Sequence, residues 1–438
     1  MVNARLIERE LMKNMRNIKW LVPAGVAVIM CGCGSDGFKT DTGDDTGSAD
    51  NDTDTDTDTD TDTDVDADTD TATDYPKECA DLFDETLLPT FEVEIDSSEW
   101  SAILDDCAND AKNYHPVLFQ YGDESQDAMI RLKGAWSRNC DKMQFVISFN
   151  ETDKAGRFHG LRKIVLDAPY YDTTLIHERT AFFFMKRHGV PSSCVNNALL
   201  TINGEYYGIY ANVERIDREY LERNFSEPDG NLYKEGIELV TNEEFGDTSR
   251  MESFWNASDA ASIDELVELE QAEEVWSGLA MVPDPDSYWA GVEINFYLYD
   301  HPTRGFLYLP YDMDTAFPAD WGDMESADPI LYEHSNWLRE PQYEIVLSDT
   351  TWCDRYVAAM ERARGAYDVS LLQSKVDEWS VQIADAVEND PHKAFSFEEH
   401  QAAVQAMRAF IAERAQFVDS WLETLAHCPP IWPERPAE

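Results

Sequence analysis

Positive charge is scarce in this sequence. Its 438 residues hold 34 lysines and arginines against 87 aspartates and glutamates, a formal net charge of −53. Such a field repels phosphate backbones and anionic headgroups, so no nucleic-acid partner is expected. A polyanion can bind only through a local basic group with a bridging cation, and a divalent metal is therefore expected at any phosphate site. Long apolar runs are missing as well. The one near the start, Trp20 to Met30, is about half of the roughly 20 residues that a bilayer crossing needs. Cysteines at C-x-x-C spacing do not occur, which argues against a structural zinc site or a thioredoxin-like motif. There is no Walker lysine loop and no G-x-S-x-G elbow. His177-Glu178 fails as a zincin helix because Ala181 stands where the second histidine belongs.

What is present begins with a secretory pattern. Lys13, Arg16 and Lys19 precede the apolar run, and Cys31, Gly32 and Cys33 follow it, in the order of a signal peptide over 1–33. Gly32-Cys33 resembles a lipobox, which makes Cys33 the expected lipidated residue and a lipid anchor the only membrane contact. Residues 34–76 form the next segment, in which Thr and Asp alternate from Thr53 to Asp64. Like charges repel there and almost nothing apolar can be buried, so a disordered tether is expected. Beyond it remain Cys79, Cys107, Cys140, Cys194, Cys353 and Cys428, an even number compatible with up to three disulfides. Their connectivity does not follow from spacing; Cys353 with Cys428 is the preferred pair.

The remaining chain, 43% hydrophobic overall, reads as strand first and helix later. Thr90 to Ile95, Val117 to Tyr121, Ala128 to Leu132 and Met143 to Phe149 alternate as short strands of an expected antiparallel sheet. A helix over Leu175 to His188 has Asp172 to Thr174 at its start and Gly189 with Pro191 at its end. Asn203-Gly204 between two apolar runs is a two-residue hairpin signal. Ile263 to Leu279 is expected as one helix, Asn295 to Tyr299 with Phe306 to Pro310 as a strand pair, and Arg355 to Leu425 as mostly amphipathic helix. Periodicity establishes only an α+β class.

A scattered set of segments carries a more specific signal. Arg131-Leu-Lys-Gly-Ala-Trp-Ser137 is followed by Lys142, and Asp172 to Gly189 contains Glu178-Arg179. Ile202-Asn-Gly-Glu-Tyr-Tyr-Gly-Ile-Tyr210 precedes Glu214, Ile216 and Asp217, and Asn231-Leu-Tyr-Lys234 comes next. Asn295-Phe-Tyr-Leu-Tyr299 and Pro310-Tyr-Asp-Met-Asp314 complete the series. In order and spacing, over about Leu82 to Leu422, these resemble the spore-coat CotH family of secreted protein kinase-like proteins. The resemblance implies an atypical bilobal kinase-like fold over 77–428, with a β-rich N-lobe over about 82–234, a helical C-lobe over about 235–425 and a tail over 429–438.

The same resemblance implies site roles. Lys142, Glu178 and Lys234 are the expected nucleotide-site residues, with Glu178 holding Lys142 by an ion pair. Asn295, Asp312 and Asp314 are the expected ligands of Mg²⁺ or Mn²⁺, and Asp286, in Asp286-Ser287-Tyr288, is the expected catalytic carboxylate. Ser287 departs from the glycine usual in that triplet. The chemistry is coherent, because phosphoryl transfer needs a cation on the donor phosphates, carboxylates on a metal, and a group orienting the acceptor hydroxyl. Asp312 and Asp314, at i and i+2 of an extended segment, are expected to face one ion together. The implied function is transfer of phosphoryl from ATP to Ser or Thr of an envelope or surface protein by an extracytoplasmic monomer. A non-catalytic pseudokinase scaffold and another ATP-dependent transferase on the same fold are the alternatives. Aromatics make up 12% of the chain, with Trp289, Trp321 and Trp337 near the proposed site in sequence; these are read as core.

Overall fold

The computed structural model describes residues 78–432 except 135–137, 170, 244–246, 291–293, 320–321, 332–340 and 425–426. The leader with Cys33, the acidic tether, Trp321 and Trp337 lie outside the described residues.

Seven strands build the first half: β1 (Thr90–Glu94), β2 (His115–Tyr121), β3 (Glu124–Leu132), β4 (Phe145–Ser148), β5 (Lys163–Asp167), β6 (Val195–Ile202) and β7 (Glu205–Val213). They do not stay an open antiparallel sheet. They close into a barrel in the order β1-β2-β3-β4-β5-β7-β6, with β6 returning to β1 as the one parallel pair, Phe91 beside Leu200. Closure removes sheet edges and wraps the strands around an apolar interior that includes Phe91, Phe119, Ile130, Phe145, Ile147 and Leu200. The β6–β7 turn helps to fix that closure. Asn203 and Gly204 both have positive φ, as a two-residue hairpin of this kind requires. The Asn203 side chain reaches across to the end of β1, accepting from the Ile95 N–H at 2.8 Å and donating to its carbonyl at 3.0 Å.

Two helices flank the barrel strands. α1 (Ser97–Asn109) follows β1, and α2 (His177–Arg187) lies between β5 and β6. As expected, Asp172 serves the start of α2: its carboxylate accepts from the N–H of Thr174 and of His177, each at 2.8 Å. Gly189, at positive φ, follows the end of the helix.

The second half holds a smaller sheet and most of the helices. After α3 (Arg218–Asn224), β8 (Asn231–Lys234) and β9 (Glu238–Leu239) join β10 (Phe296–His301) and β11 (Gly305–Pro310) in the order β11-β10-β8-β9. Asn231–Lys234 thus pairs with β10 and not with the barrel. Between them run α4 (Ser249–Asn256), α5 (Ala260–Asp264) and α6 (Leu269–Met281). The single helix expected over Ile263 to Leu279 is broken at Val267. There the backbone turns aside to bridge β11: Phe306 donates to the Leu266 carbonyl at 2.8 Å, and Glu268 donates to the Phe306 carbonyl at 3.1 Å. The chain ends in α7 (Pro341–Leu347), α8 (Thr350–Ala366), α9 (Val369–Asn389) and α10 (Phe397–Leu422). Arg414 of α10, fully buried, donates to the carbonyls of Ala280 at 3.0 Å, Glu325 at 3.1 Å and Ala327 at 2.6 Å, which ties α10 to α6. Trp289 is core as expected, with its indole N–H on the Pro329 carbonyl at 3.0 Å.

Three disulfides fasten this arrangement: Cys79–Cys194, Cys107–Cys140 and the preferred Cys353–Cys428. They are the bonds of a chain that folds in an oxidising compartment.

α1 is held to β2 by a buried histidine. His115 Nδ1 lies 2.9 Å from Glu99 and Nε2 lies 3.1 Å from Asp106. Burial works against its charge, but hydrogen bonds to both carboxylates prevail and raise its pKa above the ordinary value. A histidine pKa raised by folding gives stability that is complete below the unfolded value and disappears as the pH rises through the folded one. The stability of the wild-type chain against denaturant, relative to His115→Gln, is therefore expected to fall as the pH rises above about 6.5. Parallel curves for the two proteins would show that the imidazolium does not contribute.

Candidate active site

The barrel register sets up the first ion pair. Leu132 stands beside Phe145 and Phe145 beside Leu166, so the next row carries Lys133, Gln144 and Asp167 along one rim. The Lys133 N–H donates to the Gln144 carbonyl at 3.0 Å, which carries the ladder one residue past β3. The Lys133 ammonium then pairs with the Asp167 carboxylate and lies 4.0 Å from Asp312. Burial alone would lower its pKa; Asp167 and Asp312 together raise it well above the ordinary lysine value, so the charge is held firmly.

Carboxylates from three elements gather around this one ammonium, and a fourth element adjoins them. Glu178 comes from the first turn of α2, where its carboxylate accepts from the Met313 N–H and its Oε2 has no partner. Asp312 and Asp314 follow β11. They do not lie on the expected extended segment: Asp312 has a φ of 54° and Asp314 begins a turn, so the same-side argument from i, i+2 spacing does not apply. That turn is fixed by its neighbours, because His177 Nδ1 donates to the Asp314 carbonyl at 3.3 Å and Thr315 Oγ1 donates to Asp284. Asp284, fully buried after α6, also accepts from the Asp286 N–H at 2.9 Å, and its Oδ2 has no partner. Asn295 Nδ2 donates to Asp286, at 2.8 Å to the carbonyl and 3.2 Å to Oδ2. The Asn295 carbonyl in turn accepts from the Tyr311 N–H at 3.2 Å.

Crowding shows in the acidities. Burial, then Asp312 and Asp167, push Glu178 well above the usual carboxylate range. Burial, then Asp312, Asp167, Glu178 and Asp284, do the same to Asp314. Asp284 is pushed up to about 8, first by burial.

Lys133 also belongs to a basic group. Burial, followed by the charges of Arg131, Lys234, Arg138 and Lys133, pushes the Lys112 ammonium down to about 8. Four cations close enough to repel Lys112 are unexpected in a chain of net charge −53. Lys234 closes β8 with its ammonium 5.9 Å from the Tyr311 ring.

The sequence-named residues fall into two sets. Glu178, Asp312 and Asp314 share one electrostatic cluster, Asp286 and Asn295 touch each other beside Asp284, and Lys234 lies in the basic group. Lys142 is placed elsewhere. Its ammonium pairs with Asp390 at the end of α9 and rests 4.5 Å from the Tyr210 ring, so the ion pair expected with Glu178 is replaced by one with Asp390. The lysine that faces the carboxylates is Lys133, inside the quoted Arg131-Leu-Lys motif. Asp167 and Asp284 were not singled out from sequence. A strand-end Asp one ladder row from a lysine is the signal for the first; the Asp284-Pro285-Asp286 triplet reads as an ordinary turn and gives none for the second.

The donors suit a hard divalent cation: all are oxygens, negative charge exceeds positive, and two buried carboxylate oxygens lack partners. Among the described residues no three histidine, cysteine, aspartate or glutamate side chains stand at metal-ligating spacing.

The family model for the CotH kinase protein matches residues 130–282 and 278–418, more than half of the chain. A curated relative, the inner spore coat protein H of Bacillus subtilis (strain 168), is 22% identical over 342 residues, 71% of this chain and 91% of the relative. Two solved structures are similar at low TM-scores. The proinflammatory kinase CtkA of Helicobacter pylori has a TM-score of 0.34 at 10% identity, covering 64% of this chain and 94% of its own. The HipA, HipB and operator DNA complex of Shewanella oneidensis MR-1 gives 0.30 at 13% identity, covering 61% and 62%.

The two lysines are expected to separate on mutation. Lys142→Met strands Asp390, whose side chain is 1% exposed, and should cost about 3–5 kcal/mol in urea unfolding. Adding Asp390→Asn should restore part of it. Equal stability of Lys142→Met and wild type would remove the structural role.

Proposed function

This chain belongs to the CotH kinase family, and from that premise we propose that it is a phosphotransferase, moving the γ-phosphoryl group of ATP to a serine or threonine hydroxyl of an envelope or surface protein. The observation that carries this reading is the position of Lys133, shared between a basic group and a carboxylate cluster. A triphosphate needs local positive charge, and the basic group of Lys112, Arg131, Lys133, Arg138 and Lys234 supplies it against the field of the whole molecule. The adjacent carboxylates supply oxygens for a metal.

In this reading Lys133 binds phosphate oxygens, its charge kept by Asp167 and Asp312 and its approach bounded by Glu178. Asp312, Asp314 and Asn295 hold Mg²⁺ or Mn²⁺, with Asp284 as a further carboxylate beside them. When bound, the ion supplies the positive charge that neutralises the phosphates and fixes their direction. Asp286 orients the acceptor hydroxyl and takes its proton, and Asn295 fixes where that carboxylate lies. The oxidising compartment implied by the disulfides supports a protein acceptor outside the cytoplasm. A lipid on Cys33 and the acidic tether fit a site of action at a membrane surface.

Titration calorimetry of the full chain with ATP should give binding that requires Mg²⁺ or Mn²⁺. Lys133→Met and Asp314→Asn should each weaken it about tenfold or more, and Lys142→Met should leave it within about twofold. Asp286→Asn should keep binding and lose transfer of γ-phosphoryl label. Binding indifferent to Lys133→Met overturns the site; a product heavier by AMP instead of phosphate overturns the reaction. Metal binding must also displace protons from Asp314, Glu178 and Asp284, all held above the usual carboxylate range. Mg²⁺ affinity for the ATP-free protein should therefore rise from about pH 6 to about pH 8.5, with proton release seen by calorimetry in buffers of different ionisation enthalpy.

A further inference from the structure

A second site stands outside the machinery above. Between α6 and α8, beside Gly189–Pro191, runs a cleft of about 520 Å³. Its acidic wall is built by spacing: Glu270, Glu273 and Glu274 recur at i, i+3 and i+4 on one face of α6, with Glu268 just before the helix.

Three of these four glutamates have a cation of their own. Glu268 is paired with Arg304. Glu270 meets Arg355 at 2.5 Å. Glu274 meets Arg362 at 2.7 Å and His188 at 3.1 Å. Glu273 is the one left over. It is 1% exposed; its Oε2 lies 3.6 Å from Arg355, which is already committed to Glu270, and its Oε1 has no partner. A buried carboxylate without a full partner costs free energy, and the cleft it lines is the route by which a partner can arrive.

We propose that this cleft binds an organic cation, a ligand carrying a guanidinium or alkylammonium group that pairs with Glu273. A guanidinium or ammonium spreads its N–H donors over several oxygens, as this wall of glutamates requires. Burial, chiefly, pushes the Glu273 carboxyl up to about 8 and outweighs the opposing charges of Arg355 and Arg362. The cleft also touches the turn that ends α2, the helix whose first turn carries Glu178, but the proposal does not depend on kinase activity.

The charge can come from a free small molecule or from an arginine side chain in a peptide, and calorimetry on the full chain with two probes separates these sources: agmatine and a capped Gly-Arg-Gly peptide. One-to-one binding of either is expected, weakened about tenfold or more by Glu273→Gln and by Glu270→Gln. Glu361→Gln, on the exposed face of α8, should leave it unchanged. Without ligand, Glu273→Gln should raise the Tm by about 2–4 °C at about pH 9, where the Glu273 carboxyl, pushed up to about 8, is ionised, and by less at neutral pH. Agmatine binding alone identifies a free cation as ligand, and peptide binding alone identifies a protein side chain. The proposal is overturned if neither probe binds at about 10 mM, if Glu361→Gln weakens binding as much as Glu273→Gln does, or if Mg²⁺ alone displaces the probe as effectively as unlabelled agmatine.

Discussion

The structure turns on one ammonium group among carboxylates. Lys133 sits at the barrel rim, yet the acids around it come from β5, from α2 and from the turn after β11. No local segment could assemble that set. The barrel fixes Lys133 and Asp167 through strand register, and the smaller sheet delivers Asp312 and Asp314 at the end of β11. Without the cation, these carboxylates would share a buried volume with only repulsion between them. With it they form a cluster still short of positive charge, which is the condition in which a site for a metal and a polyanion is useful.

Beside that acidic cluster, the basic group around Lys112 is opposite in sign to the chain as a whole. A net charge of −53 repels most anions, and in the proposed function a phosphate-bearing ligand is accepted only where Lys112, Arg131, Lys133, Arg138 and Lys234 collect. Selectivity of this kind comes from the background as much as from the site. The same background favours cations, which makes the cleft between α6 and α8 the complement of the first site.

Much of this was legible in the sequence where chemistry is local. Asn203-Gly204 demands its turn, Asp172 and Gly189 bracket α2, and the strand pair ends at Pro310 as expected, although the two aspartates after it lie on a bent segment and not an extended one. The motifs also single out Glu178, which meets Met313 and Asp312 across a long stretch of chain, and Asp286 and Asn295, which meet each other nine residues apart. What failed had non-local causes. Lys133 and Lys142 are equally good lysines on paper, and only register puts one on the row of Asp167 while the other faces the end of α9. Barrel closure through a parallel β1–β6 pair leaves no periodic trace, because each strand alternates as it would in an open sheet. The break at Val267 comes from β11 claiming backbone that was otherwise free to stay helical. Asp284 gave no signal, since its role needs Thr315, which lies far along the chain and next to it in space.

The second glycine of the Asn203 to Tyr210 segment has a meaning beyond the hairpin. A β-carbon on Gly208 would lie 2.2 Å from the Lys142 ammonium and 2.6 Å from the Asp390 carboxylate, and its φ of 151° suits glycine alone. Asp390 also accepts from the N–H of Ile209 at 2.9 Å, so a helix end plugs directly onto barrel backbone there. The bare backbone of that strand is a socket cut for one particular helix. A chimera that grafted the helical half onto a different barrel would have to bring Gly208 and Lys142 along, or the two halves would not seat.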